Sequence, residues 1–292
     1  MSSDSSPSRP TLRSVTDRFG YPHFLAATLV LVAATILLGV AAKATGSGLA
    51  CEANWPQCDA GPFNLFPANL PSFYEWIHRF VAMFAGFAII GSAVAAWRLP
   101  DIDTRVASLV VLGMVLTPIQ VYLGRETVLV YEMDILSLHF WTAILIFGLF
   151  VVATVLVWRS ALGAETVTAA FGLGLLSVPL HIALSPTDLG VVSEYSPTVQ
   201  LLQYGVTLAL IAAVIVAIMV GRWRFDDRPL LAIAGVTAVL GLAVSYLGRQ
   251  LVMNNISALD QLYIGLAVVL FFIFCAGGYY SHTRATRTDS AH

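Results

Sequence analysis

The sequence predicts an all-α integral membrane protein. Its eight transmembrane helices should form two tandem four-helix bundles related by a pseudo-twofold axis along the membrane normal. Three observations carry that expectation. The 292 residues are 58% hydrophobic and 11% charged, with a mean hydropathy of +0.81, which leaves too little polar surface for a domain dissolved in water. The few charges are gathered into clusters separated by long apolar runs. A short motif then recurs at a fixed offset.

The charge-free runs are Leu25–Ala42, Phe80–Trp97, Val106–Gly124, Ile135–Trp158, Thr166–Thr187, Tyr195–Gly221, Pro229–Gly248 and Gln261–Ser281. Each holds 18 to 27 residues, enough for a helix to cross about 30 Å of hydrocarbon. Their continuous apolar character, without alternation, excludes barrel strands. With both termini cytoplasmic, eleven of the fifteen Lys and Arg residues fall on the cytoplasmic side and only Lys43, Arg79, Arg125 and Arg249 fall outside. That bias sets the orientation of a multi-pass protein of the cell membrane. The net charge of −2 and the lack of interleaved basic and aromatic residues point to the lipid bilayer as partner and to no nucleic acid.

Tyr122-Leu123-Gly124-Arg125 recurs as Tyr246-Leu247-Gly248-Arg249, an offset of 124 residues that also aligns Val128 with Val252 and Ala143 with Ala267. Both copies sit at the outer end of the third helix in a set of four. An even number of spans per unit keeps both units the same way up, hence an axis along the normal. The expected organisation is a polar cytoplasmic tail at 1–22, a first bundle at 23–160 with a long outer loop at 43–73, a second bundle at 161–282, and a cytoplasmic, disordered tail at 283–292. No signal-peptide cleavage pattern separates the opening residues from the first span, which is expected to stay as an anchor.

Three histidines, His78, His139 and His181, fall at membrane depth, where an ionisable side chain is costly and marks a functional candidate. His78 and His139 lie near the outer ends of spans two and four, at similar depth in one bundle. Two imidazoles facing each other suit axial ligation of heme iron. Two histidines hydrogen-bonded to neighbouring helices would give the same spacing, and the residues alone leave both readings open. Glu75 shares a helix face with His78, where a carboxylate can accept protons. It also stands four residues before Arg79, and on spacing alone an ion pair is the simpler account. Arg79 is equally placed to meet a heme propionate. Cys51 and Cys58 lie in the outer loop, where a disulfide is expected outside the cytoplasm, as a structural staple or as a redox pair. Cys275 reads as a small buried apolar residue.

Thr45-Gly46-Ser47-Gly48-Leu49-Ala50-Cys51 with Trp55-Pro56-Gln57-Cys58, then Glu75-Trp76-Ile77-His78-Arg79, Gln120-Val121-Tyr122-Leu123-Gly124, Thr127-Val128-Leu129 and His139-Phe140, together resemble the heme A synthase family over residues 25 to 158. The resemblance implies oxidation of heme O to heme A, a ring methyl becoming a formyl group through successive hydroxylations. It places His78 and His139 at the iron of the substrate heme, Glu75 in catalysis, and Cys51 and Cys58 as the family's cysteine pair. It implies heme O as substrate, and heme O synthase or terminal oxidase assembly factors as partners.

The sequence also departs from that family. Its two-bundle members place a second histidine pair in the C-terminal half, binding a heme b. Here the repeat, with an offset one residue longer in the second span, sets His78 against Gln203 and Glu75 against Gln200, and in the fourth span His139 against Tyr263. A bis-histidine heme b is therefore not expected there, and His181 is read as structural. Two alternatives remain: a heme-binding electron carrier or heme chaperone without catalysis, and a transporter. The transporter ranks last, because the polar groups gather at the outer ends of the spans instead of the midplane.

Overall fold

The computed structural model describes residues 20–51, 54–56, 58, 66–130, 132–189, 191–192, 194–225, 227–254 and 258–289. Among them there are eight long helices and no strand. The helices are α1 (Tyr21–Ala44), α2 (Leu70–Arg98), α3 (Thr104–Leu129), α4 (Met133–Val157), α5 (Ala164–Ala183), α6 (Pro197–Arg224), α7 (Arg228–Asn254) and α8 (Ala258–Asp289), with a short 3-10 turn at Ser47–Leu49. All eight are long and apolar enough to cross a membrane, and each contains most or all of one charge-free run. The chain is a multi-pass membrane protein.

Local chemistry sets where the helices begin. The Asn69 side chain accepts from the Ser72 amide at 2.9 Å and caps α2, while Asp103 accepts from the Arg105 amide at 2.7 Å at the start of α3. Ser196 accepts from the Val199 amide at 3.3 Å and, with Pro197 in the first turn, opens α6. Such caps satisfy amides that the helix itself leaves unpaired.

Several expected boundaries shift. α2 begins ten residues before its charge-free run, because the charges of Glu75 and Arg79 are internal to the helix and bonded to each other. The outer loop is correspondingly shorter than 43–73: Lys43 still belongs to α1, and α2 starts at Leu70. The disordered tail expected from residue 283 is corrected. α8 continues to Asp289, and Arg284 holds this extension through Asp227 and the Tyr280 hydroxyl, both at 3.0 Å. The expected tail at 1–22 falls mostly outside the described residues, and α1 begins at Tyr21.

Helix neighbours run in two cycles. α1 packs on α2 and α4 while α3 touches α2 and α4; α5 packs on α6 and α8 while α7 touches α6 and α8. The cycles meet where α6 lies against α1 and α4. Accordingly 56% of the most apolar window of α6 is buried, against 17% of that of α3. Phe150, Phe171, Leu210, Leu230 and Phe274 are fully enclosed in the shared core. At the end of the molecule away from the long loop, α1 and α2 are pinned by Thr28 to Ser92 at 3.1 Å, and α5 and α8 by Thr168 to Ser281 at 3.1 Å. The opposite end of the first cycle carries the polar residues.

Candidate functional site

The helical period decides which side chains meet at that end. On α1, Ile36, Gly39 and Lys43 share one face; on α2, Glu75, His78 and Arg79 do; Gln120 and Gly124 stand one turn apart on α3, as do His139 and Ala143 on α4. All of these side chains except Gly39 and Lys43 line one cavity of about 600 Å³, whose deeper wall is apolar, with Val32, Ile89 and Ile146. That volume is typical of a small-molecule site. Met83, Phe87, Ile90 and Val121 line the cavity and are exposed, Phe87 by 62%.

A second void of about 220 Å³ shares Glu75, His78, Gln120 and His139 and adds Gly39, Lys43, Tyr204 and Arg249. The two histidines therefore stand on the wall common to both spaces. Backbone makes room for them. A Cβ on Gly39 would come within 3.0 Å of His78 Nε2, and one on Gly124 within 3.0 Å of His139 Cε1. Larger residues at either position would displace an imidazole.

Hydrogen bonding separates these histidines from the third. Nδ1 of His78 and Nδ1 of His139 are buried and meet no partner among the described residues; the same holds for Gln120 Oε1 and Arg249 Nε. Buried polar groups are ordinarily satisfied, and each orphan costs about 1–3 kcal/mol. The four residues that carry these atoms all line the second void. His139 Nε2 has one long contact, 3.4 Å to Gln120 Nε2. His181, 1% exposed, has both ring nitrogens occupied, Nδ1 by the Tyr263 hydroxyl at 2.6 Å and Nε2 by Thr207 Oγ1 at 3.0 Å.

The repeat counterparts of the histidine pair belong to that same chain of bonds. Gln203 Nε2 donates to Ser185 Oγ at 2.7 Å, and Ser185 Oγ lies 2.8 Å from the Tyr263 hydroxyl. The Tyr195 hydroxyl donates to Gln203 Oε1, and burial, with Tyr204 and Tyr263 nearby, pushes the Tyr195 phenol up so that it stays a donor. Gly248 faces Tyr263 and His181 as Gly124 faces His139. Where the first cycle has an open wall, the second has a closed polar plug.

The remaining predicted residues fall around the cavity. Glu75 is 6% exposed and accepts from Arg79 Nε at 2.8 Å. Arg79 Nη1 donates to the carbonyls of Asn54 at 2.9 Å and Pro56 at 3.3 Å, so its guanidinium ties the loop to α2. Cys51 and Cys58 are bonded to each other and buried, and Cys58 borders the larger cavity. Ser72 Oγ donates to the Ala50 carbonyl at 3.1 Å and adds a second tie. Cys275 is free and partly buried.

Sequence reasoning missed Arg249 and Tyr204 as site residues. Arg249 is a cation just past the seventh charge-free run, and its burial was the part that a sequence does not reveal. Its repeat counterpart, Arg125, has an exposed side chain paired with Glu126.

Residues 22–185 match the family model described as cytochrome oxidase assembly protein. Curated relatives include the heme A synthase of Bacillus licheniformis, 29% identical over 135 residues, 46% of this chain and 44% of that protein. The heme A synthase of Geobacillus kaustophilus is 27% identical over 139 residues, 47% of this chain and 43% of that protein. A protoheme IX farnesyltransferase of Halobacterium salinarum is 37% identical over 103 residues, 35% of this chain and 22% of that protein. The chain thus spans less than half the length of each of these relatives. With more than half of its residues matched by the family model, the chain belongs to the cytochrome oxidase assembly protein family, that of the heme A synthases.

Proposed function

We propose that the protein oxidises the ring methyl of heme O toward the formyl group of heme A, with the substrate iron held between His78 and His139. The observation that carries this reading is the contrast between two imidazoles with unpaired buried nitrogens on a cavity wall and a third imidazole with both nitrogens bonded. Among the described residues no group of three or more His, Cys, Asp or Glu side chains gathers to hold a bare metal ion. A pair of histidines instead suits iron that already has four ligands from a porphyrin. The apolar depth of the cavity suits the macrocycle.

Glu75 is assigned to take protons as the methyl carbon gains an oxygen atom from water and gives up four electrons, in two-electron steps, to an external electron acceptor. It is buried, borders both spaces, and stands one turn from His78 on the same face of α2. Arg79 holds it there and ties the loop to α2 beside the heme edge. The last four helices hold no heme b in this proposal, since Gln203 and Tyr263 are bonded into the His181 network. The two cycles correspond to repeat units at 23–160 and 161–282 related by a twofold along the membrane normal. The loop end faces outside the cytoplasm in the cell membrane, with both termini inside. A heme O synthase and terminal oxidase assembly factors are the proposed neighbours, as supplier and consumer.

The test is pigment extraction from membranes that express the chain together with a heme O source. Heme A should appear with the wild type and fall by about 10²–10⁴-fold in rate with Glu75→Gln, the range for losing a general base. Accumulation of heme O alone by folded wild-type protein would refute catalysis. An electron carrier or heme chaperone would be indifferent to Glu75→Gln.

A further inference from the structure

Arg249 sits on α7, is 4% exposed, and its side chain bridges the last four helices to the first four. Nη1 donates to the Tyr204 hydroxyl at 3.0 Å, Nη2 reaches the Leu136 carbonyl at 3.4 Å, and the guanidinium carbon lies 4.0 Å from the centre of the Phe140 ring. Nε has no partner among the described residues. Lys43, at the last turn of α1, lines the same void, and its ammonium meets the sulfur of Met253 at 3.4 Å. A thioether is a weak acceptor for a full positive charge.

Neither cation is ion-paired with a carboxylate among the described residues. The ion pairs among the described residues are Glu75 with Arg79, Glu126 with Arg125, and Asp227 with Arg284. Two like charges border one small void whose one described carboxylate, Glu75, is already paired with Arg79, an arrangement that a bound anion would relieve. The void shares its wall with His78 and His139. An anion lodged there would lie against whatever the histidines hold.

We propose that Lys43 and Arg249 bind the two carboxylates of a porphyrin seated between His78 and His139, so that the last four helices complete a site built mainly by the first four. This rests on the heme reading of the cavity given above and adds its carboxylate subsite. Two cations on separate helices match two separate carboxylates on one edge of a macrocycle better than a lone phosphate, which calls for converging donors. Arg79, the cation expected from sequence to meet a propionate, is engaged by Glu75 and by loop carbonyls.

The test uses the purified full chain in lipid nanodiscs, titrated with hemin and with hemin dimethyl ester, which lacks both negative charges. Wild type should bind the free acid about tenfold or more tightly than the ester, the effect of at least one charge-assisted bond. Lys43→Gln and Arg249→Gln should each bring the ratio toward one while the bis-imidazole absorption spectrum of the bound heme persists. Equal affinity of wild type for acid and ester overturns the proposal without any variant, so misfolding of Arg249→Gln cannot protect it. Adding phosphatidylglycerol to the discs should leave the ratio unchanged; a ratio abolished by that lipid assigns the cations to a headgroup phosphate and overturns the proposal. Absence of a bis-imidazole spectrum in wild type removes the heme reading and this subsite together. A normal acid preference without heme A formation removes only the catalytic assignment.

Discussion

Gly124→Ala tests the histidine wall with the smallest available change. The added methyl would lie 3.0 Å from His139 Cε1, whereas carbon atoms in contact settle at about 3.5–4.0 Å. The imidazole must therefore retreat by a few tenths of an ångström, close to the tolerance of about 0.5 Å for a functional constellation. The fold should tolerate this. Overpacking costs about 1–3 kcal/mol and replacing a helical glycine by alanine returns about 1 kcal/mol, for a net loss of about 0–2 kcal/mol. Hemin titration followed in the Soret band should show about tenfold weaker binding and loss of the six-coordinate spectrum, with unfolding only slightly earlier. Gly172→Ala on α5, where nothing lies within 4 Å of the new methyl, is the control and should bind as wild type. A Gly124→Ala protein with unchanged affinity and spectrum would show that His139 does not face the ligand.

Tyr263→Phe removes the hydroxyl that meets both His181 and Ser185. It should cost about 1–3 kcal/mol in denaturant unfolding with heme loading unchanged. Wild type should carry one heme per chain by pyridine hemochrome assay, and His78→Ala should abolish the bis-imidazole bands; two hemes per chain would contradict the closed second site. Cys51→Ser should lower stability by about 2–3 kcal/mol, the value of closing a short loop, and should loosen the Asn54 and Pro56 carbonyls that hold Arg79. Proteolysis of the loop, faster in the variant, would register that loosening, and an unchanged cleavage rate would argue against it.

The spans were legible because charge is excluded from hydrocarbon, so every long charge-free run became a helix. The misjudged ends have a common cause. Charges were read as boundaries, but Glu75 and Arg79 neutralise each other inside α2, and Arg284 is held by Asp227 and Tyr280 inside α8. His78 and His139 could be found because an isolated imidazole in an apolar run is conspicuous. His181 was equally conspicuous, and only its saturated hydrogen bonding distinguishes it. Arg249 was hidden by sequence distance. Its partner Tyr204 lies on α6 and its neighbours Leu136 and Phe140 lie on α4, and no local pattern encodes the packing of α6 against α4 that brings these groups together.

Phe87, Ile90 and Val121 line the larger cavity and keep about half or more of their surface exposed. A chamber with such apolar walls suits an occupant drawn sideways out of the acyl chains. The abundance that its occupant experiences is a mole fraction in the bilayer, not a molarity in the surrounding water. Binding strengths taken at different lipid-to-protein ratios will then disagree although no contact has changed, and extra lipid will act as a competitor by dilution alone.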